Sequence, residues 1–494
     1  MSGLTRRAAL AGAIAGGALT PLAARAQKAR TDEAVAPGRA AEAIPVMPAL
    51  TRYIAGAADA AVPEAIRDAA RLHVLDTLAA IVACRDLEAA KLGRAYALGP
   101  GGKGDTTILG TRESAAIVDA AFAGAMTAHA AEINDFIPSA YVQPGPSIVS
   151  AAVALAEGRR LSGRRVTDAV IVGYEVAGRV PKAIGTPALN RAGLANHGIG
   201  PVFGTGAAAT SLIGLDPEKA GHVLSYCAQQ ASGSWQWLLD VRHVEKAFVF
   251  AGMGARNGLQ AALMVETGFT GVPDSFDVEG GWLLWPAFAN TDRAGLIAGL
   301  GERFELSQTA FKRYPTGGPT QPAVQALLEL RKTLRPEEVT QITIAMPGRA
   351  NAFRSARMPA LNLPYLASII MLDGELDFTA AQSLERMHGD PEVARFSRLV
   401  EITEDKAQEA PGGEERVESA RVTVRTRNGP PREMFVPYVR GFPSHPMSRQ
   451  DVETKTRELI EPALGSARTT ELIRRTEALD DESDVSRLIA LIAR

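Results

Sequence analysis

The sequence predicts a mainly α protein, with a large all-helical domain built from both ends of the chain and a smaller α+β domain inserted between them. Three observations predict it. From about Pro45 to Arg303 apolar residues recur at i, i+3, i+4 and i+7, the period of helices with one buried face. Between Leu306 and Arg440 two stretches, VTQITIAMP (339–347) and SARVTVRTRNGPPREMFVPY (419–438), alternate and are rich in β-branched residues. From Ser448 the amphipathic helical pattern returns. The boundaries drawn from these shifts are 45–305 for the helical domain, 306–447 for the α+β domain and 448–494 for the helices that complete the first.

In chain order, Thr5-Arg6-Arg7 stands before a mild apolar run, Ala8 to Leu22, and then Ala24-Arg25-Ala26. That is the charged, apolar, small-x-small order of a secretory signal, and the paired arginines point to the twin-arginine route. The run falls short of the ~20 strongly apolar residues a membrane span needs. Residues 1–26 are therefore expected to be removed, leaving a periplasmic or secreted protein with no membrane contact. Residues 27–44 read as a flexible lead-in.

Helices are expected at VPEAIRDAARLHVLDTLAAIVA (62–83) and at 114–131, 147–157, 167–182, 204–213, 217–231 and 251–267. Gly and Pro punctuate the loops between them, as in GPGGKGD (99–105) and LSGRR (161–165). The high alanine content lets such helices approach closely. In the inserted region TQPAVQALLELRKTL (320–334) reads as a helix between strands, and Asn428-Gly429 as a turn signal.

Composition narrows the function. With 53 basic and 55 acidic residues the chain is nearly neutral, which argues against a nucleic-acid or polybasic membrane partner. Cys84 and Cys227 sit in Ala-rich apolar contexts and read as core fillers, and two thiols without matched histidines make no zinc site. No G-x-S-x-G, H-E-x-x-H or Walker A segment occurs, and GMGARNG (252–258) does not follow a strand. No repeat of 20–50 residues is found.

Chemistry concentrates in Thr127–Ser147, TAHAAEINDFIPSAYVQPGPS. Here His129, Glu132, Asn134 and Asp135 follow an almost wholly apolar helix, so these acids are expected at the edge of a core, where carboxylate pKa values rise and proton transfer becomes feasible. Read without that context, His129 is a helix-end residue that caps carbonyls, and His73 is a satisfied core histidine. His222, His388 and His445 have no constellation around them. Trp235 and Trp237, like Trp282 and Trp285, are core or pocket-wall aromatics.

The chain resembles the MmgE/PrpD family over roughly residues 48–465. The resemblance rests on LHVLDTLAAIVA (72–83), AAFAGAMTAHAAEINDF (120–136), GPSIVSAAVALAEG (145–158), VIVGYEVAGRV (170–180), GTGAAATSLIGLD (204–216), GFTGVPDSFDVEGGW (268–282), FKRYPTGGPTQPAVQALLELR (311–331), LNLPYLASIIMLDGE (361–375) and GFPSHPMSRQDVETK (441–455). It implies a helical domain with an α+β lid, a homodimer, no cofactor, no metal ligand, and dehydration, decarboxylation or epimerisation of a small carboxylic acid.

The family's H-x-x-D-F-D-D-T is His129 to Phe136 here, keeping acids at Glu132 and Asp135 but placing Phe136 where threonine is usual. Gln143 stands in place of the next histidine, Phe250 in place of one near Lys246, and Gly317 in place of one following Lys312. His197, Lys312 and Tyr365 match. The resemblance therefore implies His197, Glu132, Asp135, Lys312 and Tyr365 as catalytic, and Arg313, Lys246, Gln143, His129 and Arg256 as substrate-binding. In these roles His197 is the acid or base, the lysines and arginines hold carboxylates, and Tyr365 donates to a developing oxyanion. The replaced histidines imply a less charged substrate in a more apolar pocket. Two functions are consistent with this set: a cofactor-independent lyase or isomerase, and a non-catalytic periplasmic protein that binds a carboxylate.

Overall fold

Helices as apolar as those in the first half of this chain cannot rest on one stripe and must be buried on most sides, which forces them into layers against one another. The computed structural model describes residues 44–494 other than 101, 285, 349 and 409–418. The expected export segment at 1–26 and the lead-in at 27–44, Ile44 excepted, lie outside the described residues, as does Trp285.

The helical part runs through α1 (Met47–Ala55), α2 (Glu64–Cys84), α3 (Glu88–Leu98), α4 (Ile117–Ala128), α5 (Pro144–Arg159), α6 (Gly163–Ile184), α7 (Asn196–Ile213) and α8 (Pro217–Gln230). It continues in a short α9 (Val244–Ala247), joined through a π-helical turn, Phe248–Gly252, to α10 (Met253–Glu266). Two starts and one end differ from the periodicity reading. α5 begins at Pro144, whose missing N–H costs nothing in a first turn. α7 begins at Asn196 in spite of Gly198, Gly200 and Pro201. Packing outweighs propensity there: a Cβ at Gly204 would stand 2.6 Å from the Gly173 carbonyl of α6, so the two backbones touch. α4 stops at Ala128 and leaves 129–137 irregular.

The inserted part holds α11 (Gln321–Arg331), α12 (Leu363–Asp373) and a four-stranded sheet. After the minimal pair β1 (Thr106–Thr107) and β2 (Ser114–Ala115), its strands are β3 (Val339–Met346), β4 (Val400–Glu404), β5 (Ala420–Thr426) and β6 (Arg432–Val436), in the order β4-β3-β5-β6. β3 pairs parallel to β4 and antiparallel to β5, with Ile342 opposite Val400 on one side and Val424 on the other. β5 and β6 are the expected hairpin around Asn428-Gly429. The chain returns to helix in α13 (Arg449–Leu464), α14 (Ser466–Glu477) and α15 (Ser486–Ile492). Ser448 and Asp451 close a capping box at the start of α13.

The protein is thus mainly α with a small α+β part. One apolar core draws on α1, α2, α4–α8 and α10 and on Ile460 to Ile492 from the C-terminal helices. A second surrounds the sheet and α12, and it takes in Phe136, Trp237, Val249 and Phe250 from the helical segments. The site lies where those four residues enter the second core. Cys84 and Cys227 are buried and unbridged, and their thiols are pushed up by burial. Among the described residues no helix is long and apolar enough to cross a membrane.

Candidate active site

Because α4 ends early, the chain from His129 to Phe136 crosses the interior without regular structure, and His129, Glu132, Asn134, Asp135 and Phe136 are all buried. A carboxylate this deep has to be met by cations and hydrogen bonds. Lys312 Nζ donates to Glu132 Oε2 at 3.0 Å, and Oε1 forms a close ion pair with Lys246 and lies 3.2 Å from His243 Nε2. Lys246 comes from α9 and Lys312 from the segment that enters the inserted part. That segment is tied to the irregular chain by a reciprocal backbone pair, Phe136 N–H to the Ala310 carbonyl at 3.0 Å and Ala310 N–H to the Phe136 carbonyl at 2.7 Å. His243 takes the left-handed conformation (φ 59°), uncommon for a side-chain-bearing residue, immediately before α9. Burial pushes its imidazole down to about 4. His129 is held well below the usual histidine range by burial, then by repulsion from His243, Lys246 and Lys312. Both rings are therefore neutral near pH 7. His129 Nδ1–H donates to Asn134 Oδ1 at 2.6 Å.

The second half of the site is aromatic. His197 lies in the first turn of α7, with its Nδ1 3.0 Å from Gln143 Oε1. Phe250, on the π-helical turn, is sandwiched between two imidazoles: its ring stacks on His197 at 4.0 Å and 12°, and on His129 at 4.8 Å and 10°. Trp237 meets Phe250 and His197 edge-on, and the Lys246 ammonium stands 4.8 and 4.7 Å from the Trp237 and Phe250 ring centres. One phenyl ring thus links the acid–base candidate to the cations. The turn that presents it is of a kind that recurs at functional sites.

Asp135 faces a different way. Its Oδ2 accepts from Tyr174 Oη at 2.6 Å and lies 2.8 Å from His73 Nδ1, while Oδ1 accepts from Gly145 N–H at 3.1 Å. Beside it, Lys455 of α13 donates to Asp76 Oδ1 at 2.6 Å and to the Ile133 carbonyl at 2.8 Å. Burial raises the Asp76 and Tyr174 pKa values and lowers that of Lys455. Gly145 is needed here because a Cβ would fall 2.7 Å from Asp135 Oδ1 and Thr77 Oγ1 and 2.8 Å from Tyr174 Oη. This network braces the chain on the far side of Glu132, and His73, stacked on Phe311 at 4.1 Å, belongs to it.

The structure thus gathers Glu132, Lys246, Lys312, His129, Gln143 and His197 into one connected site, with Asp135 in the adjoining network. Three expected members lie apart, joined to it by no hydrogen bond, ion pair or ring contact among the described residues. Tyr365, expected as an oxyanion donor, gives its hydroxyl to the Ala380 carbonyl at 2.5 Å, and burial pushes its pKa up to about 12. Arg313, expected on a substrate carboxylate, makes a two-pronged pair with Glu458 at 2.8 and 3.0 Å near the surface. Arg256 bonds Asn257 and lies over the Phe248 ring. Each arginine found a nearer partner than the buried cluster.

Four contributors went unrecognised in the sequence: His243, Asp76, Tyr174 and Lys455. His243 lies three residues before Lys246, a hint available in the sequence; the others sit on unremarkable helix positions far apart in the chain. His129, Glu132 and His243 could bring ligand atoms within 4.8 Å of one another, as a metal ion would require. The two ammoniums already hold both oxygens of Glu132, so this donor set fits an anion better than a cation.

A family model described as the MmgE/PrpD N-terminal domain matches residues 48–292, and one described as the MmgE/PrpD C-terminal domain matches residues 314–481. Similar proteins include the "Cis-aconitate decarboxylase-like protein oryM" of Aspergillus oryzae, 25% identical over 418 residues that make up 77% of this chain and 82% of that protein. The "Cis-aconitate decarboxylase" of Aspergillus terreus is 24% identical, with 79% of this chain and 84% of that one covered. The human "Cis-aconitate decarboxylase" is 24% identical, with 76% and 79% covered.

Proposed function

The chain belongs to the MmgE/PrpD family, and from that premise we propose that it is a lyase or isomerase that moves a proton, or releases CO₂, next to the carboxylate of a small acid. The sandwich of Phe250 between His197 and His129, with Lys246 against the same ring, carries this reading, because it puts a base and fixed cations around one enclosed point.

An amide oxygen only accepts, so the Gln143 contact makes Nδ1 the protonated ring nitrogen of His197 and leaves the lone pair on Nε2. That nitrogen takes the proton from the carbon next to the carboxylate. Lys246 and Lys312 receive the carboxylate and stabilise the charge that builds on it as the neighbouring C–H bond breaks. In a decarboxylation, which the names of the relatives support as the first reaction to test, the carboxylate leaves as CO₂, the C–C electron pair passes to the carbon and into a neighbouring electron-withdrawing group of the substrate, and an acid returns a proton to that carbon. Glu132, held between the ammoniums, keeps the lysines aligned. Base, acid and cations are all side chains, so the proposed chemistry calls for no cofactor. The twin-arginine-type start supports a periplasmic setting, and the family resemblance supports a homodimer.

The test uses the full chain. Thermal shifts with a panel of mono-, di- and tricarboxylates identify ligands, since a ligand adds RT ln(1 + [L]/Kd) to the folded state. Each stabilising compound is then followed by NMR in D₂O. Deuterium uptake or turnover should fall by about 10²-fold or more in His197→Gln while the thermal shift persists. Stabilisation by a carboxylate with no exchange or turnover in the unaltered protein would overturn the proposal and favour a carboxylate-binding protein without catalysis.

A further inference from the structure

We propose that the ligand of this site is a monocarboxylate on a short apolar body, not a di- or tricarboxylate. The inference rests on reading the Glu132 cluster as a carboxylate-receiving centre and adds the class of acid it selects. The first support is charge. Among the described residues the cluster contains two ammoniums, Lys246 and Lys312, and the Glu132 carboxylate lies between them. His129 and His243 are neutral near pH 7. At most one positive charge is therefore left to meet a substrate, and any further anionic partner of either lysine would lower that number. A second carboxylate would be buried without a counter-charge, which is costly in a water-excluded site.

The second support is where the other cations went. A second carboxylate is most readily held by a guanidinium fork, yet Arg313 is paired with Glu458 and Arg256 with Asn257 and Phe248. Lys455 is spent on Asp76 and the Ile133 carbonyl. The third support is the wall. The Lys246 ammonium stands over the Trp237 and Phe250 rings, and the Lys312 ammonium stands 5.7 Å from the Phe136 ring centre. Leu361 fills the space beside Gly317, where an added Cβ would stand 2.2 Å from its Cδ2. A ligand whose carboxylate reaches the lysines therefore lays the rest of its body on carbon.

The experiment compares three probes on the full chain by thermal shift and calorimetric titration: crotonate with one carboxylate, fumarate with two on the same four-carbon frame, and tricarballylate with three. Crotonate should bind at least about tenfold tighter than fumarate, a difference well inside what one unpaired buried charge commands. Phe250→His should narrow or reverse the preference, and Phe250→Leu, which keeps the wall apolar, should retain it. Fumarate or tricarballylate binding as tightly as crotonate would overturn the inference, as would an unchanged preference in a folded Phe250→His. Crotonate preferred, but with no deuterium exchange, would remove the catalytic reading and leave this inference standing. No stabilisation by any of the three would remove both.

Discussion

Glu132 is the residue on which the site turns, because its carboxylate is shared by two buried ammoniums. Glu132→Gln removes that anion while leaving the shape nearly unchanged. Loss of one partner from a buried ion cluster costs roughly 3–5 kcal/mol, so urea unfolding should show a fall of about that size. A change below about 0.5 kcal/mol, the level of an ordinary surface substitution, would mean the lysines do not depend on this acid. His243 makes a second prediction, in pH. Its folded-state pKa of about 4 lies below the usual histidine value of about 6.5, so the unfolded chain binds the proton more readily. Its stabilising contribution is complete above pH 6.5 and is lost as pH falls towards 4, by roughly 3 kcal/mol in all. His129 acts in the same direction, whereas Asp76, with its raised pKa, favours the folded state as acid is added. Melting temperatures between pH 7 and 4 should drop less steeply in His243→Asn than in the unaltered protein, and parallel curves would count against the assignment.

Among elements, the first turn of α5 is held closely against three polar side chains. Gly145→Ala would push a methyl group into Asp135, Thr77 and Tyr174 together, and overpacking of that kind costs about 1–3 kcal/mol. The loss should appear in the melting temperature and, because Asp135 follows Glu132 by only three residues, as weaker carboxylate binding. Unchanged stability would show that α5 can withdraw without cost. Element legibility varied for physical reasons. Long apolar helices such as α2 and α6 were plain from periodicity, and so was the β5–β6 hairpin. β4 (VEITE) was missed, since its five residues carry two acids and its pairing partner, β3, lies more than fifty residues upstream. The π-helical turn at 248–252 leaves no mark in hydrophobic spacing, yet it presents Phe250 to both histidines.

For the whole molecule, the expectation drawn from the N-terminal residues is export. Replacing Arg6 and Arg7 by lysine should abolish the appearance of the protein in a periplasmic fraction, and intact mass of the exported form should match a chain beginning at Gln27. Export unaffected by both replacements, or a mature form that retains residues 1–26, would overturn the twin-arginine assignment. Light scattering of the purified protein tests the expected homodimer, and a monomeric mass would overturn it.

The sequence by itself determined the layered helical fold with its α+β insertion, because hydrophobic period and β-branched alternation are local properties that follow from burying one face of each element. It also determined the chemistry available at His129, Glu132, His197, Lys246 and Lys312, since side-chain type alone sets what can donate, accept or carry charge. Only the tertiary structure decided which of these meet. Lys312 reaches Glu132 from 180 positions away, and Lys455 reaches Asp76 across 379. Arg313, adjacent to Lys312 in the chain, turns to Glu458 instead. Partner choice among buried charges depends on distances through space and on the cost of leaving any of them unmatched, and neither quantity is written in residue order.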